Sequence, residues 1–399
     1  MEIQKIRRKL NILFILYHNF ASNSAIHVHG FANAFAEKGH ECLVAVPDDK
    51  ESATKIFGDN IKYTPVEFDE INVNNNLFTN NQGPDIIHSW TPRENVRKLA
   101  LQLKNRFPDS KLIVHLEDNE ESILEKHTRL PIKILKLIPN FILDSVMPES
   151  VSHPVRYKEF LNTADGITVI MDTLLEFAPK NKKNSILWPI IDTETFFFPR
   201  EKDDKLKQQY GIKETELIIV YTGNVHLSNA KEVRELYMAV GLANIKGISV
   251  KLIRTGIDLC QFIKKNDNWV REYCIELGYI PRETIPAHLS LADVLIQPGE
   301  SDEFNDFRLP SKIPEFLAMG KPVAIPSTNI GRFLKNNEEA LIMKKGNREE
   351  IVSIIKKIHN DKNTVDKIAR KGRSFAVKNF SKRVITQKLE EFYKTIINS

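Results

Sequence analysis

Short, unbroken apolar runs alternate with stretches of mixed polarity through most of the chain. NILFIL (Asn11–Leu16) precedes a helical stretch from about Ala25 to Lys38, which Gly39 and His40 end before the run ECLVAV (Glu41–Val46). DIIHSW (Asp85–Trp90), KLIVHL (Lys111–Leu116), GITVIM (Gly166–Met171) and SILWPI (Ser185–Ile190) continue the series. Continuous apolar runs suit strands covered on both faces, as in a parallel sheet flanked by helices. The periodicity breaks over Pro189–Pro199, and a charged helix (Glu201–Gln209) follows. A second series then runs through LIIVYTGN (Leu217–Asn224), SVKLIRTG (Ser249–Gly256), CIELGYI (Cys274–Ile280), DVLIQP (Asp293–Pro298) and PVAIP (Pro322–Pro326). ALIM (Ala340–Met343) is a last strand candidate before three closing helices. Two series joined by one break predict two Rossmann-like α/β domains facing across a cleft. Ligands sit beyond the carboxyl ends of the strands in such sheets. The expected boundaries are 1–196 and 197–380, with a C-terminal helix over 381–399 packing back toward the N-terminal domain.

One stretch interrupts the alternation. Lys126–Leu161 sets His127, Arg129, Lys133 and Lys136 beside Ile132, Ile134, Leu135, Leu137 and Ile138. It reads either as a helix packed on the sheet with a solvated basic edge or as a basic amphipathic helix lying on an anionic membrane.

Composition narrows the class. At 399 residues the chain exceeds one ordinary core, and 27% charged residues with no run of about 18 apolar residues point away from a membrane-spanning protein. The basic start MEIQKIRRKL lacks the apolar stretch of a signal peptide. The three cysteines (Cys42, Cys260, Cys274) are scattered, which argues against a disulfide scaffold or zinc site and for a reducing compartment. The expected location is cytoplasmic. A net charge of +5 suits a phosphate-bearing small molecule or an anionic surface but is too small for a nucleic-acid footprint. No Gly-x-Gly-x-x-Gly follows either first strand, and no Gly-x-Ser-x-Gly elbow or Walker loop occurs.

The chemistry concentrates at Pro310–Val323 (PSKIPEFLAMGKPV). A loop with Asn305, Asp306 and Arg308 leads into a helix that Ser311 is placed to cap. Free amides at its N-terminus suit a diphosphate, Lys312 adds a cation, and Glu315 one turn later suits a pair of ribose hydroxyls. Taken alone, this spacing favours an ordinary capped helix whose charges face water.

The ordered context changes that reading. LIRTG (Leu252–Gly256), LGYIPRETIPAHLSLADVLIQP (Leu277–Pro298) and PSKIPEFLAMGKPVAIP (Pro310–Pro326) together resemble the donor domain of glycosyltransferase family 4, the glycosyl transferases group 1. IHVHGFANAFAEKGHECLVAVP (Ile26–Pro47), PDIIHSW (Pro84–Trp90), and ADGITVIMDTLLE (Ala164–Glu176) followed by PIIDTETF (Pro189–Phe196) resemble N-terminal elements of the same family. The resemblance covers most of the chain, Lys126–Leu161 apart, and implies the GT-B fold. It implies a retaining transfer of a sugar from a UDP- or GDP-sugar to a glycan or lipid-linked acceptor, in polysaccharide biosynthesis, with no metal and no cofactor. The absence of Asp-x-Asp agrees with a metal-independent route, in which cations and helix ends neutralise phosphate.

By that resemblance Gly223, Asn224, Tyr279, Ile280, Asn305, Asp306, Arg308, Ser311, Lys312 and Glu315 hold the donor. Lys312 and Arg254 neutralise the leaving diphosphate. The family's Glu-x7-Glu is half present: Glu315 matches the second Glu, but the first position is Phe307, so Asn305 or Asp306 is expected to take over the sugar contacts. The usual Arg and Lys after the first donor-domain strand are replaced by Asn224 and Asn229, which leaves Lys231 or Arg254 to supply charge. On the acceptor side, Ser22, Asn23 and Ser24 replace a Gly-Gly turn, and His88 ends one strand. HLEDNEE (His115–Glu121) offers His115 or Glu117 as the catalytic group, depending on register. A lone His at a strand end is more often a packing residue. Two alternatives stay open: a GT-B sugar-nucleotide epimerase or phosphorylase, and a non-catalytic GT-B-like binding subunit.

Overall fold

The computed structural model describes residues 9–73, 76–302 and 304–399. The basic start of the chain, residues 1–8, on which the expectation about a signal peptide rests, lies outside them. The chain divides into two compact units: one runs to Ile190 and includes Lys382–Ser399, and the other is Ile191–Ser381.

The first unit is built on seven parallel strands: β1 (Asn11–Ile15), β2 (Glu41–Val46), β3 (Thr64–Glu67), β4 (Ile86–Trp90), β5 (Lys111–Leu116), β6 (Gly166–Val169) and β7 (Lys183–Ile186). Their spatial order is β3-β2-β1-β4-β5-β6-β7, so the winding reverses between β1 and β4. β1 and β4 are buried along their whole length, as continuous apolar strands require. The helix Asn23–Glu37 packs on this core through Ala25, Val28, Phe31, Ala32 and Phe35. The last helix of the chain, Lys382–Ile397, adds Ile385, Leu389, Phe392, Tyr393 and Ile396 to the same core.

The second unit repeats the plan with six strands: β8 (Leu217–Thr222), β9 (Val250–Thr255), β10 (Cys274–Glu276), β11 (Val294–Ile296), β12 (Val323–Pro326) and β13 (Leu341–Met343). Their order, β10-β9-β8-β11-β12-β13, reverses between β8 and β11, and every pairing is parallel. Each unit is thus Rossmann-like, with a switch point where ligands of such sheets bind.

Three elements differ from the pattern-based reading. β3 is short and only half-buried, carries Pro65, and sits at the sheet edge, where period and burial leave almost no trace. The run CIELGYI ends as a strand at Glu276, because Gly278 turns the chain at φ +64°. The basic insertion is not one amphipathic helix. It folds as Glu120–Thr128, Ile132–Leu135 and Asn140–Val146, interrupted at Pro131 and Pro139, each of which starts the next short helix.

The two histidines proposed for the acceptor side lie in the core of the first unit. His88 is fully buried, with Nδ1 2.8 Å from the Tyr393 hydroxyl and Nε2 3.0 Å from Thr168 Oγ1. His115 is also fully buried, with Nδ1 2.9 Å from Thr168 Oγ1 and its ring stacked on Trp90 at 4.0 Å. Burial lowers both pKa values, that of His115 to about 3, so both rings stay neutral. They tie β4, β5 and β6 to the closing helix, and this corrects their assignment as site residues. Tyr393→Phe should therefore cost about 1–2 kcal/mol, because it strands a buried imidazole nitrogen. Tyr393→Ala should cost about 3–5 kcal/mol by adding a cavity. Urea unfolding of both variants measures the difference.

Candidate functional site

At the second unit's switch point, the turns after β8, β9 and β10 are laced together through backbone. Gly223 has φ +134° and Gly256 φ +95°. A Cβ on Gly256 would overlap the Gly223 carbonyl and the Asn224 nitrogen, so only glycine allows this approach. Gly223 N donates to Thr255 O at 3.1 Å, and Gly256 N to Gly278 O at 2.6 Å. Asn224 Oδ1 accepts from Ile257 N at 2.9 Å, and Asn229 Nδ2 donates to Asn224 O at 3.0 Å. The two asparagines stitch turns. Around the same carboxyl edge Leu227, Ile257, Leu259 and Tyr279 stand exposed, and Ile280 is half-buried.

Lys312 reaches back over this floor. Its Nζ lies 4.3 Å from the centroid of the Tyr221 ring and against the bare α-carbon of Gly223, where any side chain would collide with it. Lys312 makes no ion pair among the described residues. Burial, then the charge of Arg308, pushes its pKa down to about 7, against the pull of Glu315 and Glu232. Arg308 lies 3.9 Å over the Phe304 ring and donates to Asn305 Oδ1 from Nε at 3.1 Å and Nη2 at 2.7 Å. Asn305 is almost wholly buried, and its Nδ2 donates to Glu232 Oε1 at 2.6 Å. Burial pushes the Glu232 carboxyl up to about 7, although Asn305 and Arg308 oppose the shift. Glu315 is buried and accepts from Arg282 Nη2 at 3.0 Å.

Other expected residues take different roles. Ser311 precedes the helix Lys312–Ala318, but its backbone is already helical (φ −54°, ψ −26°) and its side chain makes no cap bond. With only seven residues, that helix offers a smaller field than the cations beside it. Asp306 accepts from Ser301 Oγ at 2.9 Å within its own loop and from Thr328 Oγ1, which ties that loop to the turn after β12. Phe307 closes a short 3-10 turn with Asn305 and Asp306. Arg254 is buried, donating from Nε to the Tyr237 hydroxyl at 2.7 Å and from Nη2 to Asp258 at 2.6 Å. Its charge is committed inside the fold. The exposed Lys231 pairs with Glu300 at 2.6 Å.

The first unit has its own polar cluster at the β1/β4 switch point. Ser22 caps the helix Asn23–Glu37 by accepting from Ala25 N at 3.3 Å. Ser24 Oγ donates to Glu117 Oε2, and His27 Nδ1 lies 2.7 Å from Glu117 Oε1. Burial works to raise the Glu117 pKa, but the bond and charge of His27, with His115 and Ser24, hold it down to about 2. The Arg93 guanidinium stacks 3.7 Å over the Tyr17 ring and lies 3.7 Å from Glu120. Among the residues singled out from sequence, Glu117 and Ser24 meet, and His115 acts on Glu117 through charge alone; neither His88 nor His115 hydrogen-bonds within this cluster. Glu232, Arg282, His27 and Arg93 were not singled out. Each is defined by a partner 27 or more positions away, beyond the reach of local spacing.

Residues 216–361 match the model of the family described as glycosyl transferases group 1, a span that contains Gly223, Glu232, Arg282, Asn305, Arg308, Lys312 and Glu315. No curated protein matches the chain by sequence. Among solved structures it is similar to Anabaena HepE, crystallised with UDP, at 15% identity over 97% of this chain and 100% of that one, with a TM-score of 0.71. It is similar to sucrose-phosphate synthase from Thermosynechococcus elongatus at 14% identity, 98% and 100% coverage, and a TM-score of 0.71. A glycosyltransferase from Rickettsia africae follows at 15% identity, 98% and 99% coverage, and a TM-score of 0.68. The likeness to these structures is one of fold.

The Glu232 carboxyl yields a sign that can be tested. A carboxyl whose folded pKa lies above its unfolded value stabilises the protonated folded state. Its contribution is therefore full below the unfolded pKa of roughly 4–5 and is lost as pH rises through about 7. Glu232 should therefore contribute a falling component across that window, against the rise that the buried, neutral His88 and His115 impose, and Glu232→Gln should remove the falling component and shift the slope upward. Urea midpoints measured across the window check this; an unchanged slope in the variant would remove the assignment.

Proposed function

We propose that this chain, a GT-B glycosyltransferase with a glycosyl transferases group 1 domain in its second unit, moves a sugar from a nucleoside diphosphate sugar to a hydroxyl of a glycan or lipid-linked acceptor. The donor is UDP- or GDP-linked, the anomeric configuration is retained, and no metal or other cofactor is needed. The observation that carries this reading is Lys312: a half-buried cation without an ion-pair partner among the described residues, held at the switch point of the unit that matches the family. The solved HepE structures with UDP and UDP-glucose support the choice of donor class.

In this reading the diphosphate lies over Gly223, between Lys312 and Arg308, and Glu315 takes the ribose hydroxyls while Arg282 fixes its other oxygen. Tyr279 and Ile280 flank the base. Glu232 and Asn305 are positioning residues that hold Arg308. As the bond to the sugar breaks, negative charge grows on the leaving phosphate, and the two cations stabilise it more than they stabilise the bound donor. The acceptor hydroxyl attacks from the face the phosphate leaves, and a phosphate oxygen takes its proton. Glu117, kept ionised by His27 and Ser24, is suited to accept a hydrogen bond from a sugar hydroxyl, with Ser22 and Asn23 beside it.

Lys312→Ala should lower turnover by at least about tenfold, or roughly 1.4 kcal/mol of barrier. Near-wild-type transfer in that variant sinks the assignment. The depressed pKa of Lys312 adds a binding signature. At pH 8 the free enzyme holds Lys312 mostly neutral, and a bound diphosphate restores its charge, so binding should take up close to one proton per site. Calorimetry with UDP and GDP in buffers of different ionisation enthalpy measures the uptake, and Lys312→Met should abolish it. Nucleotide-sugar incubated with chelator and without acceptor should stay intact; epimerised sugar would favour the isomerase alternative instead.

A further inference from the structure

The insertion between β5 and β6 leaves apolar side chains in water that its own packing has no need to leave there. Leu124, Leu135 and Val151 form its small core, with Ile132, Ile138 and Met147 against them, and Leu143 is buried as well. Yet Leu137 is 83% exposed, Phe141 75% and Val146 70%, while Leu130, Ile134 and Ile142 are also exposed. Pro131 and Pro139 break the segment into short helices, so these side chains occur within a few residues of each other on turns and helix ends. Exposed apolar residues so clustered, rather than scattered singly, mark a surface that meets something.

Charge says what that is. From Lys126 to Ile142 the chain carries Lys126, Arg129, Lys133 and Lys136 and no carboxylate. The acids that flank this stretch are engaged elsewhere: Asp144 with Arg156 at 2.6 Å, Glu149 with Lys98 at 2.6 Å, Glu121 with Tyr157 and Lys136, and Glu125 with the Ile132 amide at 2.7 Å. Arg129 and Lys133 are exposed and make no ion pair among the described residues. A second copy of the chain docked on this face by two-fold symmetry would set cations against cations. An anionic bilayer matches both halves of the face, because apolar tips enter the acyl boundary while Lys and Arg meet lipid phosphates. We infer that the face carrying Leu137, Phe141 and Val146, with Arg129 and Lys133 beside it, docks the protein on an anionic lipid bilayer. Among the described residues no helix is long and apolar enough to cross a membrane, so the contact is peripheral. The inference stands apart from the sugar-transfer reading and does not rest on it.

The test is co-sedimentation of the full chain with sucrose-loaded vesicles of phosphatidylcholine alone or mixed with phosphatidylglycerol. Binding is expected to the anionic vesicles, to weaken with salt, and to be slight on neutral ones. Lys133→Glu should reduce partitioning about tenfold. The double variant Leu137→Ser with Phe141→Ser should reduce it by at least about tenfold. All three side chains are exposed, so unchanged melting curves separate lost docking from lost folding. Equal recovery in the supernatant with and without anionic lipid overturns the inference, as does vesicle binding that survives all these variants. A dimer in light scattering that Phe141→Ser disperses, without vesicle binding, would assign the face to a second copy and also overturn it.

Discussion

A half-buried cation without an ion-pair partner is costly, and the carboxyl edge of the second unit is organised around one. Lys312 needs a floor without side chains, which Gly223 supplies, and an aromatic face, which Tyr221 supplies. That floor in turn needs Gly256, because the two turns approach more closely than any Cβ permits. Arg308 crowds a second positive charge into the neighbourhood and is held there through Asn305 and Glu232. Burial and Arg308 favour the neutral amine, while Glu315 and Glu232 favour the cation, so Lys312 sits near its titration point. A dianionic ligand would settle that balance, and no buried carboxylate of the unliganded protein does so by contact.

The fold was legible because both sheets are parallel and covered on both faces. Strands such as NILFI and ECLVAV are then apolar along nearly their whole length, and the helices between them carry a different period. The same logic explains what was missed. TPVE at the sheet edge is half-buried and contains proline, so it shows neither signature. The insertion misled for the opposite reason: its apolar spacing is helical, but Pro131 and Pro139 override periodicity by removing backbone donors.

The site was legible only where residues act through their place in an ordered set of segments. Lys312 and Glu315 follow from PSKIPE, and Gly223 from the end of the first strand of its unit. Glu232 with Asn305, Arg282 with Glu315 and His27 with Glu117 are pairs made by topology, separated by 73, 33 and 90 positions. His88 and His115 show the converse error. A histidine near the end of a strand suggests a binding edge, but these strands continue into a core where Thr168 and Tyr393 meet the imidazole nitrogens that bond. Polarity in a strand does not by itself distinguish a binding edge from a buried, hydrogen-bonded interior.

The departures from the family pattern form one consistent substitution. Where a basic pair is expected after the first donor-domain strand, Asn224 and Asn229 instead bond backbone amides and carbonyls, which secures the turn but adds no charge. Arg254 is buried and spends Nε on Tyr237 and Nη2 on Asp258, with Nη1 left unpartnered in the interior. The positive charge arrives instead from the far side of the switch point, on Arg308 and Lys312. This placement needs the long loop after β11: Asn305, buried in that loop, is the only described residue that hydrogen-bonds both Glu232 below and Arg308 above. A Glu at position 307 would add a carboxylate next to Arg308 in sequence, and the phenylalanine there adds no negative charge beside Arg308.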